Sequence, residues 1–508
     1  MSGGEEGLRA GAASASIAPP PGMDLMGYLK RWQPSEGVGE PCEATALVLD
    51  DGARRVALVG IDYTWTRGDW GRRMRAAVAR AAGCAVEAVL LNSSHTHAMP
   101  LAPGLRKAGG ELAERPEEIA YAESLVERVA AVAGEAAARL APAAVAAARG
   151  RCELNVNRRQ RSGGTTIIGW NPEEACDHDV DVLRVDAADR RALATVVAYA
   201  AHPVVVGPKV QEASSDFVGP LRERVRAWTG GECLFLQGCA GNVMPLEALF
   251  DRTGPERRFG EGIALAALEA RERAEAVPTA PRQVPFMSAV PFALWRRQPV
   301  SVQEGAPTAP RLAAAELEVR LPLKQPPSRE EMAALAAELE ARVERLRAEG
   351  RPREEWNPSL FHADWARAMV ARIDASSAGE EVTTAVQRIA IGGIELIGLP
   401  CEPFCELGLE LKERSQADFT FALGYTNDVV GYVATAREHP FGGYEPTLAQ
   451  RHYDQAAPFA PEAAALLVEA ALELSRRGRG ADQLGAGSRI DSGGGEGAPA
   501  AAEGSVAR

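Results

Sequence analysis

The apolar positions of this chain recur with two different periods. ALVLDD and RRVALVGID near the start, then AVEAVLLNSS and ATVVAYAAHP, are continuous apolar, β-branched runs, the pattern of strands covered on both faces. Between them, residues 71–82 and 117–139 place apolar and alanine positions at helical spacing beside Arg and Glu. GECLFLQGCAG and EGIALAALEARERAEAV add a further strand and helix. The alternation predicts an α/β fold of mixed β-sheets with surrounding helices.

From about residue 281 to 322 the pattern changes to Pro-punctuated extended runs such as AAAELEVRLPL. PPSREEMAALAAELEARVERLRAEG then reads as a capped, charged helix with Pro before it and Gly after, a scaffolding element inside a helical segment over 325–380. VTTAVQRIAIGGIELIGLPCEPF reads as a hairpin turning at Gly-Gly, and a helix over 461–476 follows. The expected organisation is one domain over 1–476 and a disordered Gly/Ala/Ser-rich tail over 477–508, with no internal repeat.

Composition narrows the function. Acidic residues outnumber basic ones 69 to 56, for a net charge of −13. That charge opposes nucleic acid and anionic membranes. The eight cysteines form no CxxC pair, and no apolar segment of about 18 residues occurs. The start carries acidic residues where a signal peptide carries positive charge. These features predict a cytoplasmic protein with no transmembrane segment and a small-molecule substrate, and leave a homo-oligomer open.

Three apolar strands end in potential metal ligands. LLNSSHTHAMP presents His95 and His97 two residues apart, a spacing that puts both rings on one side of an extended segment. The pair reads as two metal ligands, as one ligand and one substrate contact, or as solvated loop histidines. ATVVAYAAHP ends in His202, otherwise a core histidine, and IELIGLPCEPF runs into Glu402, otherwise a loop carboxylate. Sites in open α/β sheets lie beyond the strand carboxyl ends, and a His/His/Glu set suits hydrolytic zinc. Asp177, His178 and Asp179 read instead as the start of an edge strand, and Ser214, Ser215 and Asp216 as a helix N-cap. His362, His439 and His452 lie in polar surroundings and read as without special role.

With these residues in place, the chain resembles the catalytic domain of the neutral, non-lysosomal ceramidase family. GMDLMGYLKR is similar to the family's glycine-containing substrate loop, with Gly27 at the glycine, and SSHTHAMP resembles its THTHSGP signature. NVNRRQ, holding Asn155, Asn157 and Arg158, resembles an Asn-x-Asn-Arg element; AAHPVVV and SSDFVGP resemble the segments that follow it. LPCEPF is similar to a Pro-Gly-Glu element with Cys401 for glycine, and GYVATAREHPFGGYEP resembles GYVTT and YEG elements.

The resemblance implies one zinc ion per chain on His95, His202, Glu402 and Tyr432. His97, Arg158 and Tyr444 would bind and polarise the scissile carbonyl, and Gly27, Asn157 and Met244 would contact the substrate. Where the family carries Gly-Asp-Val-Ser-Pro-Asn, with a serine assigned as nucleophile, this chain has Gly241, Asn242, Val243, Met244, Pro245 and Leu246. Met244 has no nucleophilic oxygen, so the resemblance implies attack by zinc-activated water on an N-acyl or related bond. It also implies a ceramidase-like domain without the family's carboxyl-terminal β-sandwich. Two other readings remain open: a non-catalytic binding or scaffold protein, and a zinc Lewis-acid enzyme of another reaction class.

Overall fold

The computed structural model of the protein describes residues 7–102, 115–300, 310–375 and 379–485. Eight strands make the main sheet: β1 (Arg9–Ser16), β2 (Glu43–Asp50), β3 (Arg55–Ile61), β4 (Val89–Ser93), β5 (Ala141–Arg151), β6 (Asp179–Ala187), β7 (Ala192–Tyr199) and β8 (Glu232–Gln237). Their order is β8-β7-β6-β5-β1-β2-β3-β4, with parallel pairs at the two ends and antiparallel pairs between. Four more form a second sheet in sequence order: β9 (Leu312–Pro322), β10 (Glu381–Ile391), β11 (Ile394–Gly398) and β12 (Phe419–Leu423). The mixed α/β class expected from the sequence is the one observed.

The continuous apolar runs have a direct cause. On β2, Ala44, Ala46 and Val48 face the helical layer formed by α1 (Gly68–Ala82) and α2 (Pro116–Ala138). Leu47 and Leu49 face the other way, against Ile389, Ile391, Leu396 and Phe421 of the second sheet. Both faces of the main sheet are therefore dry, which removes the polar half of each strand. Farther along it, α3 (Val218–Thr229) and α4 (Pro255–Arg273) close the helical face around Phe217, Phe235 and Ile263.

α5 (Arg329–Ala348) and α6 (Arg353–Asp374) form a helical hairpin packed through Met332, Ala336, Trp365 and Met369. Ser328 caps α5 in a capping box with Glu331, as the sequence predicts. The Gly392–Gly393 turn joins β10 to β11 as expected, with Gly392 at φ 58°. After α7 (Cys405–Arg414) and the short α8 (Tyr444–Thr447), α9 (Ala463–Gly485) packs with α7 on the outer face of the second sheet. α9 runs past residue 477, where the tail was expected to begin. Gly478 permits this, since a Cβ there would lie 2.2 Å from the Arg388 guanidinium. Residues 486–508 lie outside the described residues.

Candidate metal centre

The two sheets join at their carboxyl ends, and the candidate ligands gather there. Isolated bridges pair Asn92 with Thr426 and Gly238 with Leu423. Asn92, fully buried, accepts from the Gln237 backbone at 2.7 Å and donates to the Gly424 carbonyl at 2.8 Å. The Gln237 amide donates to the carbonyls of Ser94 and Ala201, both at 2.8 Å. One side chain thus ties the loop that carries His95 to the loop that carries His202, using backbone groups that strand pairing leaves unpaired.

His95 sits at φ 68°, and its Nδ1 lies 2.7 Å from the Thr64 carbonyl. A carbonyl only accepts, so Nδ1 carries a hydrogen and, in the neutral ring, Nε2 holds the lone pair. His202 is built the same way, with Nδ1 2.8 Å from the Ala240 carbonyl. Both Nε2 atoms face Glu402 Oε2, at 3.2 and 3.4 Å. Burial pushes His202 down to about 3, so its ring is neutral near pH 7. Nitrogen lone pairs are thereby directed at a buried carboxylate.

The remaining partners complete the cluster. His97 Nε2 lies 3.2 Å from His95 Nε2, and Tyr432 Oη 3.1 Å from His202 Nε2. Tetrahedral zinc bound at about 2.0–2.2 Å sets its ligand atoms about 3.3–3.6 Å apart, so these separations suit a small divalent cation. His95, His97 and His202 form a group able to hold a metal, with ligand nitrogens all within 4.8 Å of one another. Tyr425 donates to Glu402 Oε2 at 3.2 Å, and Tyr453 donates to Oε1. Trp65 stacks on His95 at 27°.

A cavity of about 220 Å³ opens onto these groups and is lined by His95, His97, Glu402, Tyr432, Tyr444 and Gly27, among others. Gly27 has φ 108°, and a Cβ there would stand 2.4 Å from the His97 Cβ. It is glycine for two independent reasons, left-handed backbone and close approach. Tyr444 packs edge-on to Tyr432 with ring centroids 5.7 Å apart.

Several residues stand elsewhere than the sequence suggested. Asn157 and Met244, expected at the substrate, do not line the cavity. The Asn157 amide is used by backbone, donating to Ala175 and accepting from Arg159, and Met244 lies in a short strand paired with Val156. Arg158, expected at the carbonyl, instead donates to the Tyr432 hydroxyl at 3.2 Å and to Glu445 at 2.9 Å. Asp177 and Asp179 surround Lys412 with Asp181, and His178 bonds Asn155; the strand they open, β6, is interior rather than an edge. Ser214, Ser215 and Asp216 do not cap α3, whose N-cap is Phe217. Asp216 accepts from the Val206 and Phe217 backbones instead, because the chain turns through φ 55° at that residue.

His452 has a role its polar surroundings concealed. It lines the cavity, stacked on Phe361 at 4.8 Å and facing Tyr444 at 6.0 Å. Tyr425, Tyr453 and Trp65 also went unread, since isolated aromatics in loops carry no periodic signal. Within the helical segment over 325–380, α6 supplies Arg353, Asn357 and Phe361 to the cavity wall, while no residue of α5 lines it.

Among solved structures, the neutral ceramidase from Pseudomonas aeruginosa matches 93% of this chain and 75% of its own, at TM-score 0.63 and 18% identity. A ceramidase complexed with C2 matches 93% and 76%, at TM-score 0.60 and 18% identity. No protein-family model and no curated protein matches the sequence. A likeness at this level of identity establishes architecture alone: this chain has the fold of the neutral ceramidases.

Proposed function

We propose that the protein is a zinc-dependent hydrolase of amide or related acyl bonds, with one zinc ion per chain held by His95, His202, Glu402 and Tyr432. The observation that carries this reading is the convergence of the His95 and His202 Nε2 atoms on Glu402 Oε2, with both Nδ1 atoms turned to backbone carbonyls. A buried arrangement of acceptors against acceptors is costly unless a cation lies between them. The fold shared with proteins named ceramidases supports a hydrolase. When bound, zinc supplies the Lewis acidity that makes water a competent nucleophile near neutral pH.

The chain's own groups do the rest. Tyr444, at the cavity wall, donates its hydroxyl hydrogen to the oxygen that gains charge as the acyl carbon is attacked. Among the described residues the buried His97 Nδ1 has no partner, which leaves it to carry a proton to the leaving group. Arg158 acts through Tyr432: burial raises that phenol, and the guanidinium opposes the rise by favouring the phenolate. Met244 leaves no serine at the family's nucleophile position, so no covalent acyl-enzyme is invoked.

Elemental analysis of the purified protein tests the proposal. About one zinc per chain, lost in His202→Ala and kept in His97→Ala, is the expected result. Loss in His97→Ala as well would make the third histidine a ligand. No metal in the wild type, even after zinc is supplied, would overturn the proposal in favour of a binding module. Solvent oxygen appearing in a carboxylate product separates hydrolysis from Lewis-acid elimination.

A further inference from the structure

The charges around the cavity do not balance. Two carboxylates line it, and both are engaged: Glu402 with His95, His202 and two tyrosines, Asp24 with Arg115 at 3.5 Å. Two guanidinium groups line the same cavity, Arg31 and Arg353, and among the described residues neither is paired with a carboxylate. The chain as a whole carries −13, so a cavity wall with two uncompensated cations runs against its general charge.

Arg31 is 6% exposed, donates to the backbone carbonyls of His97 at 2.7 Å, Met26 at 3.3 Å and Gly207 at 3.4 Å, and has a buried Nε with no partner. Burying a cation without a counter-charge is expensive, and carbonyl dipoles offset only part of that cost. Arg353, exposed at the start of α6, lies over the Trp32 ring at 5.3 Å and reaches Asn357 at 3.4 Å. The Trp32 face holds the guanidinium and Asn357 takes its Nε–H, which leaves the two terminal nitrogens without a partner among the described residues. Arg31 and Trp32 are adjacent in sequence, so both cations flank one turn of the substrate loop.

We infer that the substrate is a small amide bearing a carboxylate, recognised by Arg353 with Arg31 as the second positive charge, while its acyl bond faces His97 and Tyr444. This rests on the hydrolase reading for the bond but not for the carboxylate. A guanidinium matches a planar carboxylate with two parallel hydrogen bonds. At about 220 Å³ the cavity is smaller than the roughly 300–1,000 Å³ of most ligand pockets, which suits a compact substrate such as an N-acyl amino acid.

The test is calorimetric binding of N-acetyl amino acids, their neutral carboxamides and the matching phosphonates to the full-length zinc-loaded protein, beside Arg353→Gln and Arg353→Lys. At least one carboxylate should bind tenfold or more tighter than its carboxamide. That ratio should collapse in Arg353→Gln and recover in part in Arg353→Lys. Equal binding of the charged and neutral members, binding of none, or a preference for the phosphonates would overturn the carboxylate assignment. Hydrolysis of neutral amides without anionic preference would sink this inference alone. A carboxylate preference lost in Arg353→Gln, with no amide of either kind cleaved, would instead sink the hydrolase reading.

Discussion

Glu402 and Tyr432 are paired partners in a two-residue parallel ladder, so backbone hydrogen bonding sets the carboxylate and the phenol side by side. The ladder sets where the two side chains start. Tyr453 and Tyr425 then fix the carboxylate from behind by donating to its two oxygens. Removing the Tyr453 hydroxyl as Tyr453→Phe should lower metal affinity about 10–100-fold, the usual cost of losing a group that orients a ligand. Competition against a chelator of known affinity measures it, and an unchanged affinity would show that Glu402 needs no such support.

Gly27→Ala should disturb catalysis without emptying the metal site. The new methyl meets His97 first, and it sits on a backbone at φ 108° that alanine disfavours. The strain should cost about 1 kcal/mol or more in stability, read from chemical denaturation, with zinc content retained and turnover reduced.

Gln237→Ala should be among the most damaging single changes in the protein. It leaves the Ser94 and Ala201 carbonyls, both accepting at 2.8 Å, without their donor in a site closed to water. Orphaned buried groups cost about 1–3 kcal/mol each. Urea denaturation of the variant should show a shifted midpoint, and its zinc content should fall because the two histidine loops lose their common tie.

Acid should weaken the fold in part through His362, away from the metal. Burial, aided by Arg451 and His452, pushes its ring down to about 3, against about 6.5 in an unfolded chain. The unfolded chain therefore binds a proton that the fold refuses, so this contribution is whole above pH 6.5 and drains away as pH falls toward 3. His362→Gln should flatten the dependence of stability on pH between 6.5 and 4. A slope equal to that of the wild type would mean the ring is already charged in the fold.

The strands of the sheets were legible because burial on both faces leaves an apolar mark that needs no knowledge of the partner. The three strand-end groups His95, His202 and Glu402 were legible for a related reason, since a polar ligand closing an apolar run is conspicuous. Docking of the second sheet on the first was not, because it joins Leu47 to residues such as Ile389, hundreds of positions away. Tyr453 and His452 failed to show for the same cause: they reach the site from an irregular segment whose composition resembles any surface loop. Ser214 and Asp216 misled because the short polar residues that cap helices also brace left-handed turns.

The tie that Gln237 makes between two loops has a counterpart in time. His95 leaves the ribosome some three hundred residues before Glu402 and His202 some two hundred before it, and Tyr432 emerges later still. A nascent chain that has reached His202 thus holds the imidazoles of His95, His97 and His202 with neither Glu402 nor Tyr432 yet made. In the proposed centre, a cation captured then would lack both the carboxylate and the phenol. The proposed centre would be complete only once the second half of the polypeptide has been made and docked, so its filling would mark a finished fold.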